Sequence, residues 1–181
     1  MTQDVAVLLN AQANGVTPRV VRSIAQQLPE KNVFVSNSLD EAQELTHEIM
    51  ARGYRAVLTG GGDGTLVNFL NHSIEYIEQA GGSDFPLIGG LKLGTGNGIG
   101  AYVGAESYLS DLRRIVRSPW TKRQRLSLIN VEGTYCHFGG FGLDAAILND
   151  YVDVKDTWLG KRLKYAVSVP GVSIPRQLTT R

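Results

Sequence analysis

Cysteine is nearly missing from this chain: Cys136 is the sole one in 181 residues, so no internal disulfide can form, which fits a reducing compartment. Long apolar runs are missing too. The first, Val5-Ala6-Val7-Leu8-Leu9, falls far short of the roughly 20 residues of a membrane span and lacks the basic flank of a signal peptide. Excess charge is also absent. A formal net charge of +1 gives no general affinity for nucleic acid. His47, His72 and His137 have no metal-ligand spacing among themselves, so they read as surface or satisfied core residues. The expectation is a soluble cytoplasmic protein with no transmembrane segment and no nucleic-acid partner. A chain of this length with 43% hydrophobic residues can bury one full core and the start of a second domain.

What the chain does have is glycine in clusters. Ala56-Val57-Leu58-Thr59 has the length and β-branched character of a buried strand. Gly60, Gly61 and Gly62 follow, then Asp63-Gly64, and from Thr65 the apolar spacing suits a helix. A strand, a side-chain-free turn and a helix start make an anion site, because unpaired N–H groups and the helix dipole converge there. Within such a site, Asp63 would hold a divalent cation or take a proton from an attacking hydroxyl. The competing reading of the bare Gly-Gly-Asp is a strand-to-helix turn with Asp63 as an ordinary cap. A second turn, Gly94-Thr95-Gly96-Asn97-Gly98, repeats the arrangement and favours the anion reading.

Around these turns the chain alternates strands and helices. Val5 to Leu9 predicts a central parallel strand ending at Asn10. A helix is expected from near Thr17, with Pro18 in its first turn and Val20, Val21, Ile24 and Leu28 on one face. Val33-Phe34-Val35 is the next strand, and Asn37 or Ser38 caps a helix running to about Ala51 before Gly53. The helix from Thr65 is expected to reach about Gln79, with a fourth strand from Pro86 to Gly90. This order implies a parallel sheet with right-handed crossovers, which brings Asn10, Gly61 to Thr65 and Gly94 to Asn97 to one crevice. Glu106 to Val116 predicts a helix burying Leu109, Leu112 and Ile115. The period then changes. Arg125 to Val131 and Tyr135 to Phe141 read as hairpin strands about Glu132-Gly133, which places a domain boundary near Ser118-Pro119. A further helix is expected around Leu159 to Val167. Six cations (Arg113, Arg114, Arg117, Lys122, Arg123, Arg125) oppose only Asp111 near that boundary and read as a solvated helix end rather than a lipid-facing patch.

With GGDGT at Gly61 to Thr65, LGTGN at Leu93 to Asn97 and GFGLDA at Gly140 to Ala145 in that order, the chain resembles the N-terminal part of the catalytic domain of diacylglycerol and sphingosine kinases, lipid kinases distantly related to NAD kinase. The resemblance implies a three-layer α/β nucleotide-binding domain, residues 1–118, followed by the incomplete start of a lipid-binding β-sandwich, residues 119–181. It implies ATP with Mg²⁺, and a lipid alcohol acceptor such as diacylglycerol or a sphingoid base, met at a membrane surface by a peripheral enzyme. A homodimer is compatible with it. By match to the family motifs, Asp63 is the catalytic acid. Gly61, Gly62, Gly64 and Thr65 cradle phosphate, and Gly94, Thr95, Gly96 and Asn97 form the second nucleotide loop. Asn10 and Ser36 match the polar residues ending the first two strands, and Asp144 an acid near the acceptor pocket.

The family pattern is departed from in places. The first loop reads NAQANG rather than beginning Asn-Pro, Gly98 follows the second loop, and Asn68 and Ser127 stand where acids are common. The rest of the sandwich is not in this chain, so the 181 residues are expected to be inactive alone. Two rivals share parts of the signal. Gly96 to Ala101 satisfies the dinucleotide fingerprint, but the acid expected about twenty residues later is missing around Arg117 to Trp120. Neither glycine turn continues as Gly-Lys-Ser/Thr, which excludes a Walker loop. An NAD kinase-like enzyme and a non-catalytic nucleotide-binding module remain as alternatives.

Overall fold

Val5–Asn10 (β1), Val33–Ser36 (β2), Ala56–Gly61 (β3) and Leu87–Lys92 (β4) form one parallel sheet in the order β2-β1-β3-β4. The computed structural model describes residues 4–82, 84–118 and 123–139. Packing divides the chain into two units, Met1–His137 and Phe138–Arg181, and every element named below belongs to the first. The helix expected at Leu159 to Val167 lies outside the described residues.

β1 and β3 take the centre because their side chains are apolar on both faces; Val5, Ala6, Val7, Leu9 and Val57 are fully buried. Alternate residues of β1 then serve two separate cores. Val5, Val7 and Leu9 pack with Ile24, Leu28 and Leu112 on one face, whereas Ala6 and Leu8 pack with Ile49 and Phe69 on the other. The chain steps outward from β1 to β2, then reverses through β3 to β4. Right-handed crossovers in opposite directions must put their helices on opposite faces. Hence Pro18–Ala25 (α1) covers one face, and Leu39–Ala51 (α2) and Asp63–Ala80 (α3) the other. The result is the expected three-layer α/β arrangement.

Local chemistry sets the helix ends. Thr17 accepts the Val20 N–H and Ser38 the Glu41 N–H, each satisfying one orphan donor of a first turn. Gly53 and Gly81, at φ 67° and 64°, take the left-handed conformation that follows α2 and α3. Two helices differ from expectation. α3 begins at Asp63 rather than Thr65 because extended Gly62 serves as its N-cap. A short helix, Gly98–Tyr102 (α4), was not expected at all.

Tyr108–Arg117 (α5) is capped by Ser107 and packs beside α1, where Ser23 Oγ and Tyr108 Oη lie 3.1 Å apart. Its inner face carries Leu112 and Ile115 as expected and takes in Tyr108 and Val116 as well. Leu112 is fully buried, Tyr108, Ile115 and Val116 pack against the same core, and Leu109 is half-buried. Among the cations near the boundary, Arg114 pairs with Asp111 at 2.7 Å and Arg113 Nε donates to Gln27 Oε1 at 3.2 Å.

The hairpin is real but shorter than expected. Its strands run Ile129–Val131 (β5) and Thr134–Cys136 (β6), not Arg125 to Val131 and Tyr135 to Phe141. Glu132 and Gly133 both have positive φ, as a tight two-residue turn needs. Ile129 and Val131 stay 44% and 52% exposed, so little apolar burial extends the ladder. No described helix is long and apolar enough to cross a membrane.

Leu112→Ala removes a fully buried side chain from the core of the α1–α5 face and is expected to cost about 3 kcal/mol. Leu109→Ala should cost less than half of that, as read from urea unfolding of both variants. Equal losses would show that Leu109 is packed into the core as fully as Leu112.

Candidate functional site

Three loops leave the C-terminal edge of the sheet and are tied to one another there. At the end of β1, Asn10 Oδ1 accepts the Gln12 N–H at 2.9 Å, while its Nδ2 donates to Thr65 Oγ1 in α3 at 3.3 Å. Further along the same loop, Asn14 Nδ2 donates to Thr95 Oγ1 at 2.9 Å. The Gly15 N–H donates to the Leu93 carbonyl at 2.9 Å, and a Cβ on Gly15 would sit 2.5 Å from that oxygen. The loop after β1 is thereby fastened to both the start of α3 and the loop after β4.

The two glycine turns touch backbone to backbone. A Cβ on Gly94 would overlap the Cα and N of Gly62 and come within 2.9 Å of the Gly61 carbonyl carbon, and one on Gly62 would lie 2.8 Å from the Gly96 oxygen. Neither position has a positive φ. These glycines are required by close approach, not by turn conformation. Gly61 makes room for the Thr65 side chain. Asn97 closes its own loop, its Nδ2 donating to the Gly94 carbonyl at 2.8 Å and its Oδ1 accepting the Gly94 N–H at 3.2 Å.

Asp63 joins the turns. Its Oδ2 accepts the Gly98 N–H at 2.8 Å and its Oδ1 the Ile99 N–H at 2.9 Å, so the carboxylate caps α4 from a position in the first turn of α3. A negative charge there suits both helix starts. Each oxygen keeps lone-pair capacity beyond its one bond, leaving the group able to meet a cation or a proton.

The start of α3 has a different character. Gly62 offers it no side-chain cap. Gly64, in its first turn, is exposed, and a Cβ there would meet nothing within 4 Å. Glycine at a helical position costs about 1 kcal/mol relative to alanine, and nothing in the described fold requires it at this one. An 18-residue helix therefore presents open N–H groups, roughly half a positive charge and a side-chain-free surface. That combination receives anions.

Beside it, Asn10, Ser36 and Thr65 line a cavity of about 260 Å³ together with Gln12, Ser38 and Asn68. Its floor is apolar, from Leu8 and Phe69. The Ser36 hydroxyl is buried and donates to the Leu9 carbonyl at 3.3 Å. Gly61, Gly62, Asp63 and Asn97 line a narrower cleft with Lys92. Thus the structure gathers Asn10, Ser36 and Gly61 to Thr65 with Gly94 to Asn97 along one sheet edge. Asp144 and the GFGLDA segment, Gly140 to Ala145, lie outside the described residues. Gln12, Asn14 and Lys92 were not singled out from the sequence, whereas Ser38 was expected only as a helix cap and Asn68 only as a departure from the family pattern. The polar loop NAQANG was a signal for the first two; Lys92 carries none locally. Among the described residues no three His, Cys, Asp or Glu side chains cluster as metal ligands.

Residues 4–126 match the model of the family described as Diacylglycerol kinase catalytic domain, a span that includes both glycine turns. No curated protein matches the chain.

Gly94→Ala and Gly62→Ala each force a methyl against backbone, and each is expected to destabilise the fold by about 2 kcal/mol. Gly96→Ala, whose Cβ would rest 3.5 Å from Asp63 Oδ2, should change stability by less than about 1 kcal/mol. Urea midpoints read all three, and a wild-type midpoint for Gly94→Ala would mean that the turns do not meet as described.

Proposed function

The chain belongs to the diacylglycerol kinase catalytic domain family, and from that premise we propose that it is the nucleotide-binding part of a lipid kinase, which transfers the γ-phosphoryl group of ATP to a hydroxyl of a lipid such as diacylglycerol or a sphingoid base. The observation that supports this most is the open start of α3, where exposed Gly64 leaves room against uncapped N–H groups beside the Asp63 carboxylate. A phosphate chain fits that chemistry. The cavity between Ser36, Asn10 and Thr65, polar at its rim and apolar at its floor, would take the nucleoside end.

In the proposed mechanism the protein contributes position and charge rather than covalent chemistry. The first-turn N–H groups of α3 would hold the phosphates through the fixed direction of the helix dipole. Asn10 and Thr65, bonded to each other, would keep the first loop against them. Mg²⁺, carried in with ATP, would offset the phosphate charge and meet the chain through the remaining lone pairs of Asp63. The same carboxylate would orient or deprotonate the acceptor hydroxyl. Residues 1–118 would form the nucleotide domain and residues 119–181 the beginning of the acceptor domain, with Asp144 near the lipid. The acceptor resides in a membrane, so the enzyme would act peripherally at its surface.

One observation favours a second role for Asp63: both of its oxygens already cap α4. Activity separates the two. In the full-length protein, Asp63→Asn should lower phosphoryl transfer from labelled ATP to a panel of lipid alcohols by about 10² to 10⁴. Retention of more than about half the rate would leave Asp63 a structural cap.

Gly64→Ala provides the complementary measurement. It should leave the unliganded fold as stable or up to about 1 kcal/mol more stable, yet weaken Mg-ATP binding at least about tenfold, which shrinks the ligand-induced stabilisation by about 1.4 kcal/mol at saturating ligand. Equal melting shifts on adding Mg-ATP to wild type and variant would remove α3's first turn from the site.

A further inference from the structure

Asn71 carries three hydrogen bonds on one side chain. Its Nδ2 donates to the Val67 carbonyl one turn back in α3 at 2.8 Å and to the Tyr135 carbonyl in β6 at 2.8 Å, and its Oδ1 accepts the Tyr135 N–H at 2.8 Å. Two carbonyls on the nitrogen and one N–H on the oxygen fix the amide's orientation, because a flipped amide would face every partner with the wrong group.

The hairpin register explains why Tyr135 is available. With Val131 opposite Thr134 closing the two-residue turn, Asn130 and Tyr135 form the next pair, the one that exchanges no ladder bonds. The N–H and C=O of Tyr135 therefore point outward, to where a third strand would lie. The Asn71 carboxamide occupies that place and presents the same acceptor and donor that a neighbouring peptide group would. Two strands of three residues each are marginal alone, and this pairing seats them on α3. A second tether reaches α4, where the Tyr102 and His137 rings lie 5.4 Å apart. The hairpin is thus held to the two helices whose first turns Asp63 joins. Asn71 stands eight residues after Asp63, about 12 Å along the helix.

We propose that Asn71 is a positioning residue that sets the β5–β6 hairpin in register with the phosphate-binding start of α3, and that acceptor kinetics depend on this setting. The kinetic consequence rests on the lipid kinase reading; the clasp itself does not.

The test uses Asn71→Ala and Asn71→Asp in the full-length protein. Alanine is the better helix former, so α3 should persist, and the Tyr135 amide should exchange at least about tenfold faster while β1 and β3 amides are unchanged. The KM for the lipid acceptor should rise about fivefold or more, with Mg-ATP affinity within about twofold of wild type. Asn71→Asp should rescue neither property, since it loses both donors and sets an anion against two carbonyls. Unchanged Tyr135 exchange would overturn the clasp. Fast exchange with unaltered acceptor kinetics, or a parallel fall in ATP affinity and β1 and β3 protection, would overturn the positioning role. If wild type phosphorylates no lipid alcohol, the lipid kinase reading and the acceptor role fall together, and exchange at Tyr135 still decides the clasp.

Discussion

Everything at the C-terminal edge of the sheet depends on how closely two glycine turns approach, and on the carboxylate that holds them. Gly62 and Gly94 meet where neither can carry a Cβ, and Asp63 spans the junction by accepting the first N–H groups of α4. The contact is short-range and repulsive to any added atom, so it fixes the separation of β3's turn from β4's. The hydrogen bonds are attractive and directional, so they fix the orientation. Together they make two loops from distant parts of the sequence behave as one rigid surface. They also divide the labour between the helix starts. α4 is satisfied by Asp63, whereas α3 is left without a side-chain cap, so the open positive end belongs to the longer helix, whose dipole is the more fully developed.

Sheet topology puts that surface where it is useful. The chain reverses its direction of travel after β2, so the connections leaving β1 and β3 go to opposite faces and open a crevice between them, the usual ligand position in open α/β sheets. Asn10 and Thr65 bridge the crevice from its two sides. The cavity beside them is walled by α2 and α3, the helices of one face. The placement of the candidate nucleotide site is therefore a consequence of strand order and handedness, with loop chemistry added on top.

Much of this was legible in the sequence because the signals are local. Val5 to Leu9 and Ala56 to Thr59 are apolar without alternation, which marks strands buried on both faces. Ser38 and Gly53 bracket α2 with a cap and a left-handed glycine. Both glycine turns could be placed at one edge from strand and helix alternation alone. The reason for their glycines could not. Close approach between Gly62 and Gly94 is a tertiary fact, and a run of glycine reads the same whether it admits a ligand or another backbone. α4 was invisible for a related reason: it is five residues long, too short for an amphipathic repeat, and its cap comes from Asp63. The strand lengths of the hairpin were overestimated because Arg125 to Ser127 alternate in the right way without an apolar surface to cover. Asn71 has no sequence signature, since its partner is 64 residues away.

The central claim is that the first turn of α3 binds phosphate. It is tested most directly by titrating a non-hydrolysable ATP analogue with Mg²⁺ into isotope-labelled protein and following the backbone amide resonances. The account predicts that the Asp63 and Gly64 amides shift saturably and furthest, with Asn10 and Thr65 next and Gly133 unmoved. Saturable binding with its largest shifts elsewhere and Gly64 unperturbed would contradict it.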